Sequence, residues 1–426
     1  METSGNFTFH SVGQGLFYSG TINIDGTERH IVYDCGTFFE KGLLQHEINE
    51  TFSCEDTIDL LVISHMDQDH ISGIRYLLDR VSRVKVLFMP YTEPEELAFY
   101  AVKYESSRRK HTDYIDLILD FEDVVSNEKI QRVIMLTDQE GDGNPVASEG
   151  TESEDISFKF RGNREKQERI DKVLQEKKIQ VAHYDGICVF SMAWDFRFYV
   201  QDHGREDRVR FHESLEKREL TISSFRDLRG IWESKEQLAK LKEAYEEVHK
   251  KLNLTSLMLL HKPLGHDEFF TTVYPIGCCR VWRHFPRCCI WRERGETSLT
   301  GTTILLGDAM LRSKKSCEAI KTYFSNDLGD CAIALVPHHG SKNNGCQRLL
   351  QYIESELWVV SFGIHGRYGH PDMEVLRDFG KSWEYVHDCA GREQKTFPCL
   401  WFCNEYQSVR YEITTDKEWD ILGRGL

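Results

Sequence analysis

Four potential metal ligands lie within six residues, directly after a stretch that predicts a buried strand. Residues 57–62 are mostly apolar and rich in branched side chains, as in a parallel strand that is covered on both faces. His65, Asp67, Asp69 and His70 follow, and apolar residues then recur at helical spacing. The four side chains therefore occupy the turn between a strand and a helix, where open α/β sheets collect ligand-binding groups. Imidazole together with carboxylate suits a divalent metal ion.

Further short motifs occur at both ends of the chain. They are Val12-Gly13-Gln14-Gly15, Tyr33-Asp34-Cys35-Gly36, Leu306-Gly307-Asp308, Pro337-His338-His339-Gly340-Ser341 and Arg367-Tyr368-Gly369-His370-Pro371. Taken in order with the first motif, they resemble the metallo-β-lactamase fold, whose metal-binding signature normally reads H-x-H-x-D-H. Asp67 stands where the second histidine usually does. That variant resembles the soluble hydrolase domain of ComEC-type competence proteins and their free-standing relatives.

The resemblance covers roughly residues 6–90 and 253–410 and implies an α/β fold, an αββα metallo-β-lactamase sandwich with a large mixed insertion. We expect residues 1–90 to form the first half of the domain and residues 253–426 the second half, with 261–300 as a second insertion. Residues 91–252 are expected to be an insertion that is mainly helical. A chain of 426 residues can accommodate one domain and such an insertion.

The resemblance also implies two divalent metal ions. Asp69 and His70 would hold one ion, His65 and Asp67 the other, and Asp308 would bridge both. Asp67 adds a hard oxygen ligand, which shifts the preference from zinc toward manganese or magnesium. The residues leave the ion open between Mn²⁺ and Zn²⁺.

A late histidine would complete the coordination of the second ion. His370 is the preferred candidate, because its loop follows the last predicted sheet strand, and His339 is the alternative. A third histidine for the first ion is not evident, and His183 and His261 are weak candidates. Asp34 has two equally acceptable roles, the orientation of a metal ligand and a purely structural hydrogen bond.

Four residues are candidates for the chemistry. Asp69 can orient a hydroxide, and His338 or His339 can protonate the leaving oxygen. Ser341 can cap a following helix, whose N–H groups favour an anionic substrate group. The alternative is an ordinary helix cap beside two core histidines.

A basic and aromatic stretch in the second insertion suggests nucleic-acid binding. Arg283, Arg287 and Arg292 alternate with tryptophan and phenylalanine, a combination that can follow a phosphate backbone and stack bases. A solvated surface with aromatic residues packed on the core is an equally good interpretation. The net charge of −16 opposes a broad nucleic-acid footprint but permits a local groove.

These observations predict a metal-dependent hydrolase, a phosphodiesterase or nuclease that acts through a metal-bound hydroxide on nucleic acid or a nucleotide. The alternatives are a hydrolase of another ester, a thioester or a lactam, and a metal-binding regulatory module with little turnover. The sequence begins without a secretory signal and contains no apolar run of the ~18 residues that a membrane span needs. We therefore expect a cytoplasmic protein with no membrane association, and no role in DNA import.

Overall fold

The computed structural model describes most of the chain, with gaps between the described ranges. These ranges are residues 2–38, 41–105, 112–140, 142–147, 156–174, 178–202, 204–248, 255–265, 269–277, 301–329, 331–344, 350, 352–353, 355, 357–364, 369–381, 384–387, 393–396 and 399–414. In this part of the chain, no helix has both the length and the apolar character needed to cross a membrane.

Strands occur along most of the described part of the chain. They are β1 (Thr3–Phe9), β2 (Phe17–Ile24), β3 (Thr27–Cys35), β4 (Thr57–Val62), β5 (Arg83–Pro90), β6 (Ile130–Thr137), β7 (Gly143–Ala147), β8 (Ile156–Gly162), β9 (Ile179–His183), β10 (Ile187–Phe190), β11 (Trp194–Asp202), β12 (Thr255–Pro263), β13 (Phe270–Gly277), β14 (Thr302–Leu305), β15 (Cys331–Leu335), β16 (Leu357–Ser361), β17 (Glu384–His387), β18 (Glu393–Thr396), β19 (Cys399–Cys403) and β20 (Gln407–Thr414).

The helices lie between these strands. They are α1 (Lys41–Thr51), α2 (Gln68–Ile71), α3 (Ile74–Arg80), α4 (Pro94–Glu105), α5 (Thr112–Leu119), α6 (Phe121–Val125), α7 (Arg164–Val173), α8 (Arg205–Lys217), α9 (Phe225–Glu233), α10 (Lys235–Glu246), α11 (Lys314–Phe324) and α12 (Met373–Lys381).

Backbone pairing connects the large sheet into two arms. In the first arm the strands lie in the order β13–β20–β1–β2–β3–β4–β5–β6–β9, and pairing is parallel from β3 to β9. In the second arm the order is β10–β11–β12–β14–β15–β16–β19, and pairing is parallel from β14 onward. Strand β8 joins the arms, because it pairs with both β9 and β10.

Three apolar clusters separate the layers of the fold. One cluster packs α1, α3 and the helices α4–α10 onto the first arm, and another packs α11 and α12 onto the second arm. The third fills the space between the two arms, where the rings of Phe88 and Phe198 stack with centroids 4.5 Å apart. The order of layers is therefore helix, sheet, sheet, helix, which confirms the predicted α/β class and its αββα sandwich.

The segment 91–252 contributes to both arms as well as to the helical layer. Strands β6 and β9 extend the first arm by parallel pairing, and β11 pairs along its whole length with β12 in the second arm. The predicted boundaries at residues 90 and 252 remain predictions, as does the second insertion at 261–300.

A chain of buried hydrogen bonds crosses the core between the arms. The indole N–H of Trp194 donates to Nδ1 of His261 at 3.2 Å, so the other ring nitrogen carries the proton and donates to Tyr18 at 2.7 Å. Tyr18 contacts the hydroxyl of Tyr411, which in turn contacts Thr303. Burial lowers the pKa of His261 to about 3, so this imidazole is neutral in the folded protein.

This network predicts a specific loss of stability in acid. Between pH 6.5 and 3 the unfolded chain protonates His261 and the folded chain does not, so stability falls as the pH falls. From pH 7 to pH 5, the loss from this group is about 2 kcal/mol in the free energy of unfolding. In His261→Gln, urea denaturation with chelator present should show a pH 7-to-5 loss smaller by that amount. The exposed His46→Gln should leave the loss unchanged, and an equal loss in His261→Gln would contradict the assignment.

Candidate metal centre

The metal-ligand motif occupies a tight turn between β4 and α2. The backbone N–H groups of His70 and Ile71 donate to the Asp67 carbonyl, which starts the short helix. The residues after β3 pack directly on this turn: a Cβ atom at Gly36 would lie 2.4 Å from the backbone nitrogen of His70. Only glycine permits this approach. The glycine of the Tyr33-Asp34-Cys35-Gly36 motif is therefore explained by close packing on the turn.

Two imidazoles of the motif meet a carboxylate from the second arm. Nε2 of His65 lies 3.3 Å from Oδ2 of Asp308, and Nε2 of His70 lies 3.3 Å from Oδ1 of the same side chain. All three side chains are buried. Asp308 follows β14, and Gly307 before it has a positive φ of 51°. Segments from the two halves of the chain therefore meet at the carboxyl ends of β4 and β14.

A second group forms around Asp69. Its Oδ2 lies 3.0 Å from Nε2 of His339, and Asp69, His70 and His339 place one potential ligand atom each within 4.8 Å of the others. His65, His70 and Asp308 meet the same criterion. His70 belongs to both groups, so the two lie side by side.

Hydrogen bonds on the far side of the rings aim the Nε2 atoms into the centre. Asp34 accepts hydrogen bonds from Nδ1 of His70 at 2.7 Å and from the hydroxyl of Ser64 at 2.6 Å. Ser64 in turn lies 2.9 Å from Nδ1 of His65. His339 donates from Nδ1 to the carbonyl of Ser361 at 2.7 Å. Such partners fix the ring orientation and the tautomer of metal-binding histidines. The bond from His70 therefore favours the orienting role among the two that the sequence left open for Asp34.

Three residues of the site have left-handed backbones that their side chains do not favour. The φ angles are 57° at Asp34, 47° at His338 and 54° at His339. Non-glycine residues in this region cost free energy and are concentrated at functional sites. The strained backbone conformations occur at residues whose side chains face the centre.

The electrostatics show that the centre attracts positive charge. Burial opposes ionisation, but the imidazoles of His338, His65 and His70 hold the pKa of Asp308 well below its usual value. Burial lowers the pKa of His65, yet Asp308 and Asp67 raise it to about 8. Burial likewise opposes the charge on His70, and Asp34 and Asp308 raise its pKa well above the usual value. The carboxylates thus favour a cation between the rings, which is a proton or a metal ion.

The donor set fits a divalent metal. Nε2 of His65 and Nε2 of His70 are buried and have no hydrogen-bond partner among the described residues. Buried polar atoms are normally satisfied. A metal held by these nitrogens and the carboxylates of Asp69 and Asp308 would satisfy them, and nitrogen with oxygen donors suits zinc or manganese.

Asp67 lies at the edge of the centre with an unexpected partner. Its Oδ2 is 3.7 Å from Nε2 of His65, and the ammonium of Lys103 lies 2.7 and 2.8 Å from its two oxygens. Lys103 belongs to α4, in the segment whose role could not be assigned from the sequence. The lysine carries no motif of its own, so only the packing of α4 on the metal-ligand turn reveals it.

The remaining late residues take different positions. Nδ1 of His338 lies 3.2 Å from Oδ2 of Asp308. His370 contacts Asp372 at 3.3 Å, its ring centre is 6.0 Å from that of His338, and it belongs to neither potential ligand group. Ser341 is buried and accepts from the N–H of Asn343 at 3.3 Å. Turn residues rather than a helix follow Ser341 up to 344, so the predicted helix cap is not found in this described part.

The other predicted candidates lie elsewhere. Both ring nitrogens of His261 are engaged in the core network. His183 ends β9 and stacks on Tyr184. Arg283, Arg287 and Arg292 lie outside the described residues, and their contact with substrate stays a prediction.

Comparison with known proteins agrees with this geometry. Residues 19–135 match the family model described as Metallo-beta-lactamase superfamily, in agreement with the resemblance that the motifs predicted. The superfamily consists largely of metal-dependent hydrolases.

Two individual proteins are similar to parts of the chain. ComE operon protein 3 of Bacillus subtilis (strain 168) is 31% identical over 88 residues, which cover 21% of this chain and 10% of that protein. MEM-A1, a subclass B3 metallo-beta-lactamase isolated from a soil metagenome library, is 16% identical, with a TM-score of 0.18 and coverage of 37% of this chain and 49% of that one. The chain thus spans about a tenth of the length of the first protein and about half of the second.

The orienting role of Asp34 gives a prediction for metal affinity. Asp34→Asn removes the carboxylate that fixes His70, so affinity for Mn²⁺ or Zn²⁺ should fall roughly 10- to 100-fold in a competition titration. Asp59→Asn is the matched control, since Asp59 is also buried but pairs with Lys85 at 2.8 Å. Equal affinities in Asp34→Asn and the control would show that Asp34 has only a structural role.

Proposed function

We propose that the chain is a metal-dependent phosphodiesterase or nuclease. The observation that supports it most strongly is the convergence of buried imidazole nitrogens on Asp308, with two of those nitrogens lacking a hydrogen-bond partner in the described structure. A binding module that needs no metal gives no reason to bury such a set. The superfamily domain at residues 19–135 supports the hydrolase class.

The ligand residues in this proposal are His65, Asp69, His70, Asp308 and His339. His339 replaces His370 as the late histidine, because its Nε2 faces Asp69 while His370 contacts Asp372. It thereby joins the group of Asp69 and His70, and not that of His65 and Asp67 as the sequence had suggested. A bound divalent ion supplies Lewis-acid polarisation of a phosphoryl or carbonyl oxygen and makes water more acidic. The number of ions, two in the sequence-based prediction, and the choice between Mn²⁺ and Zn²⁺ belong to the proposal.

The chain's own residues position the reactants. Asp69 presents a carboxylate beside His339 and can accept a hydrogen bond from the attacking water through its remaining acceptor capacity. His338 keeps one fifth of its side chain exposed, whereas His339 is almost fully buried. His338 is therefore the residue of the pair that can exchange a proton with a leaving oxygen. Ser341, buried beside them, is retained as a substrate-binding candidate.

A phosphodiester is favoured over other esters by the chemistry of the donors. Three aspartates in or beside the centre provide hard oxygens, which suit the oxygen-preferring metals that handle phosphate. The similarity to part of ComE operon protein 3 and the stretch with Arg283, Arg287 and Arg292 favour nucleic acid or a nucleotide as the partner. A cytoplasmic location without membrane association stays a prediction from the sequence.

The test is a substrate screen of the metal-loaded protein. Bis-p-nitrophenyl phosphate, single-stranded DNA, duplex DNA, RNA and cyclic nucleotides should be compared with a carboxylic ester, a thioester and a lactam. We expect phosphodiester turnover that a chelator abolishes. Asp308→Asn should lower this turnover by at least about 100-fold, because loss of a metal ligand should cost more than loss of a residue that only hydrogen-bonds to a ligand. Asp327→Asn, which removes a carboxylate paired with Arg197 and Lys262, should keep the rate.

Three outcomes separate the alternatives. Turnover restricted to the ester, thioester or lactam would replace the phosphodiesterase assignment with the other hydrolase class. Metal binding without turnover of any substrate would favour the regulatory module. Full metal content and full rate in Asp308→Asn would refute the metal centre itself.

A further inference from the structure

Lys103 of helix α4 places a mostly buried ammonium group at one side of the candidate metal centre. The Lys103 ammonium contacts both oxygens of Asp67, and the two side chains are 11% and 6% exposed. The same ammonium lies 5.6 and 5.3 Å from the ring centres of Tyr100 and Tyr104, which adds cation–π attraction. Lys103 is therefore held at Asp67 by several contacts in a site of low solvent access.

Neighbouring helices fix the turn that carries Asp67 in the same position. The Tyr114 hydroxyl of α5 donates to the carbonyl of Met66, and the Gln68 N–H lies 3.4 Å from the Tyr104 hydroxyl of α4. Both contacts flank Asp67 in the sequence. The pair between Lys103 and Asp67 is thus part of the packing of α4 and α5 on the metal-ligand turn, not a surface ion pair.

Asp67 lies farther from the His65 imidazole than Asp308 does, and closer to the Lys103 ammonium than to that ring. Nε2 of His65 is 3.3 Å from the nearest oxygen of Asp308 but 3.7 Å from that of Asp67. Among the described residues, the potential ligand groups contain Asp69 and Asp308 and do not contain Asp67. The carboxylate of Asp67 therefore forms its closest contacts with the Lys103 ammonium.

The two sides of the centre consequently offer a cation different amounts of negative charge. On one side, Asp69 contacts His339 and Asp308 contacts His70, and both imidazoles become neutral ligands when metal binds. On the other side, His65 would likewise have to lose its proton to bind a metal, and the charge of Asp67 is already balanced by Lys103. A second ion there would share Asp308 with the first and would be repelled by the nearby ammonium.

We propose that Lys103 is a positioning residue that competes with metal for Asp67, so that the chain binds one divalent ion tightly and a second one weakly. The tight ion is held by Asp69, His70, His339 and Asp308. The weak site, at His65 and Asp67, gains affinity only when the ammonium is removed. This inference rests on the proposed metal centre and makes Lys103 the residue that sets its stoichiometry.

Metal titration of the full chain tests it directly. Metal-free protein should be titrated with Mn²⁺ and with Zn²⁺ by calorimetry, and the bound ions counted by elemental analysis after equilibrium dialysis. The wild type should bind one ion at least about tenfold more tightly than the second, and Lys103→Met should tighten the second step by about tenfold or more. Lys103→Arg keeps the charge and should resemble the wild type.

A matched control and a second variant keep the test decisive. Lys166→Met removes another partly buried lysine, whose ammonium lies 3.9 Å from the ring centre of Tyr91, and should leave both steps unchanged. Asp67→Asn should change the affinity of the first ion by no more than a few fold, because Asp67 is not its ligand. A loss of about 100-fold in that variant would make Asp67 a resident ligand and overturn the inference.

The failure of this inference differs from the failure of the proposed function. Two equally tight ions in the wild type, with no change in Lys103→Met, would overturn the role of Lys103 and leave the metal centre standing. A wild-type chain that binds neither ion would instead refute the metal centre.

Discussion

The contact of the Asp308 carboxylate with the imidazoles of His65 and His70 joins the two halves of the chain at the candidate centre. A buried carboxylate is costly unless a cation or hydrogen-bond donors stabilise it. The surrounding structure supplies both, because Asp34 fixes His70 from behind and Ser64 links Asp34 to His65. The centre is therefore a network in which each group orients the next. It depends on the relative position of the two arms, because Asp308 comes from one arm and both histidines come from the other.

The backbone around the centre bears the strain that this arrangement requires. His338 and His339 both adopt left-handed conformations directly after β15, and the N–H of His338 donates to the carbonyl of Gly307 at 3.0 Å. The loops that follow β14 and β15 are thus tied together just where they present Asp308 and the histidine pair. Such strain is tolerated when surrounding contacts determine the conformation, and the rigid sandwich below the loops provides those contacts.

Local patterns predicted much of this structure. Potential ligands follow the strands β4, β14 and β15, and this order could be predicted from the sequence. A buried parallel strand has a recognisable composition, and ligand-binding groups collect at the carboxyl ends of such strands. The preference between His339 and His370 could not be derived, since it depends on a left-handed turn that bends one ring toward Asp69. Lys103 was missed for a different reason: its pairing with Asp67 is a tertiary contact between segments that share no motif.

The most direct test of the account is the position of the metal in a crystal structure of the metal-loaded protein, located by anomalous diffraction at the manganese or zinc absorption edge. The account predicts a peak at bonding distance, about 2.0–2.3 Å, from the Nε2 atoms of both His70 and His339, with Asp308 also within reach. A peak coordinated by His370 and not by His339, or a metal-loaded protein with no peak among these side chains, would contradict it.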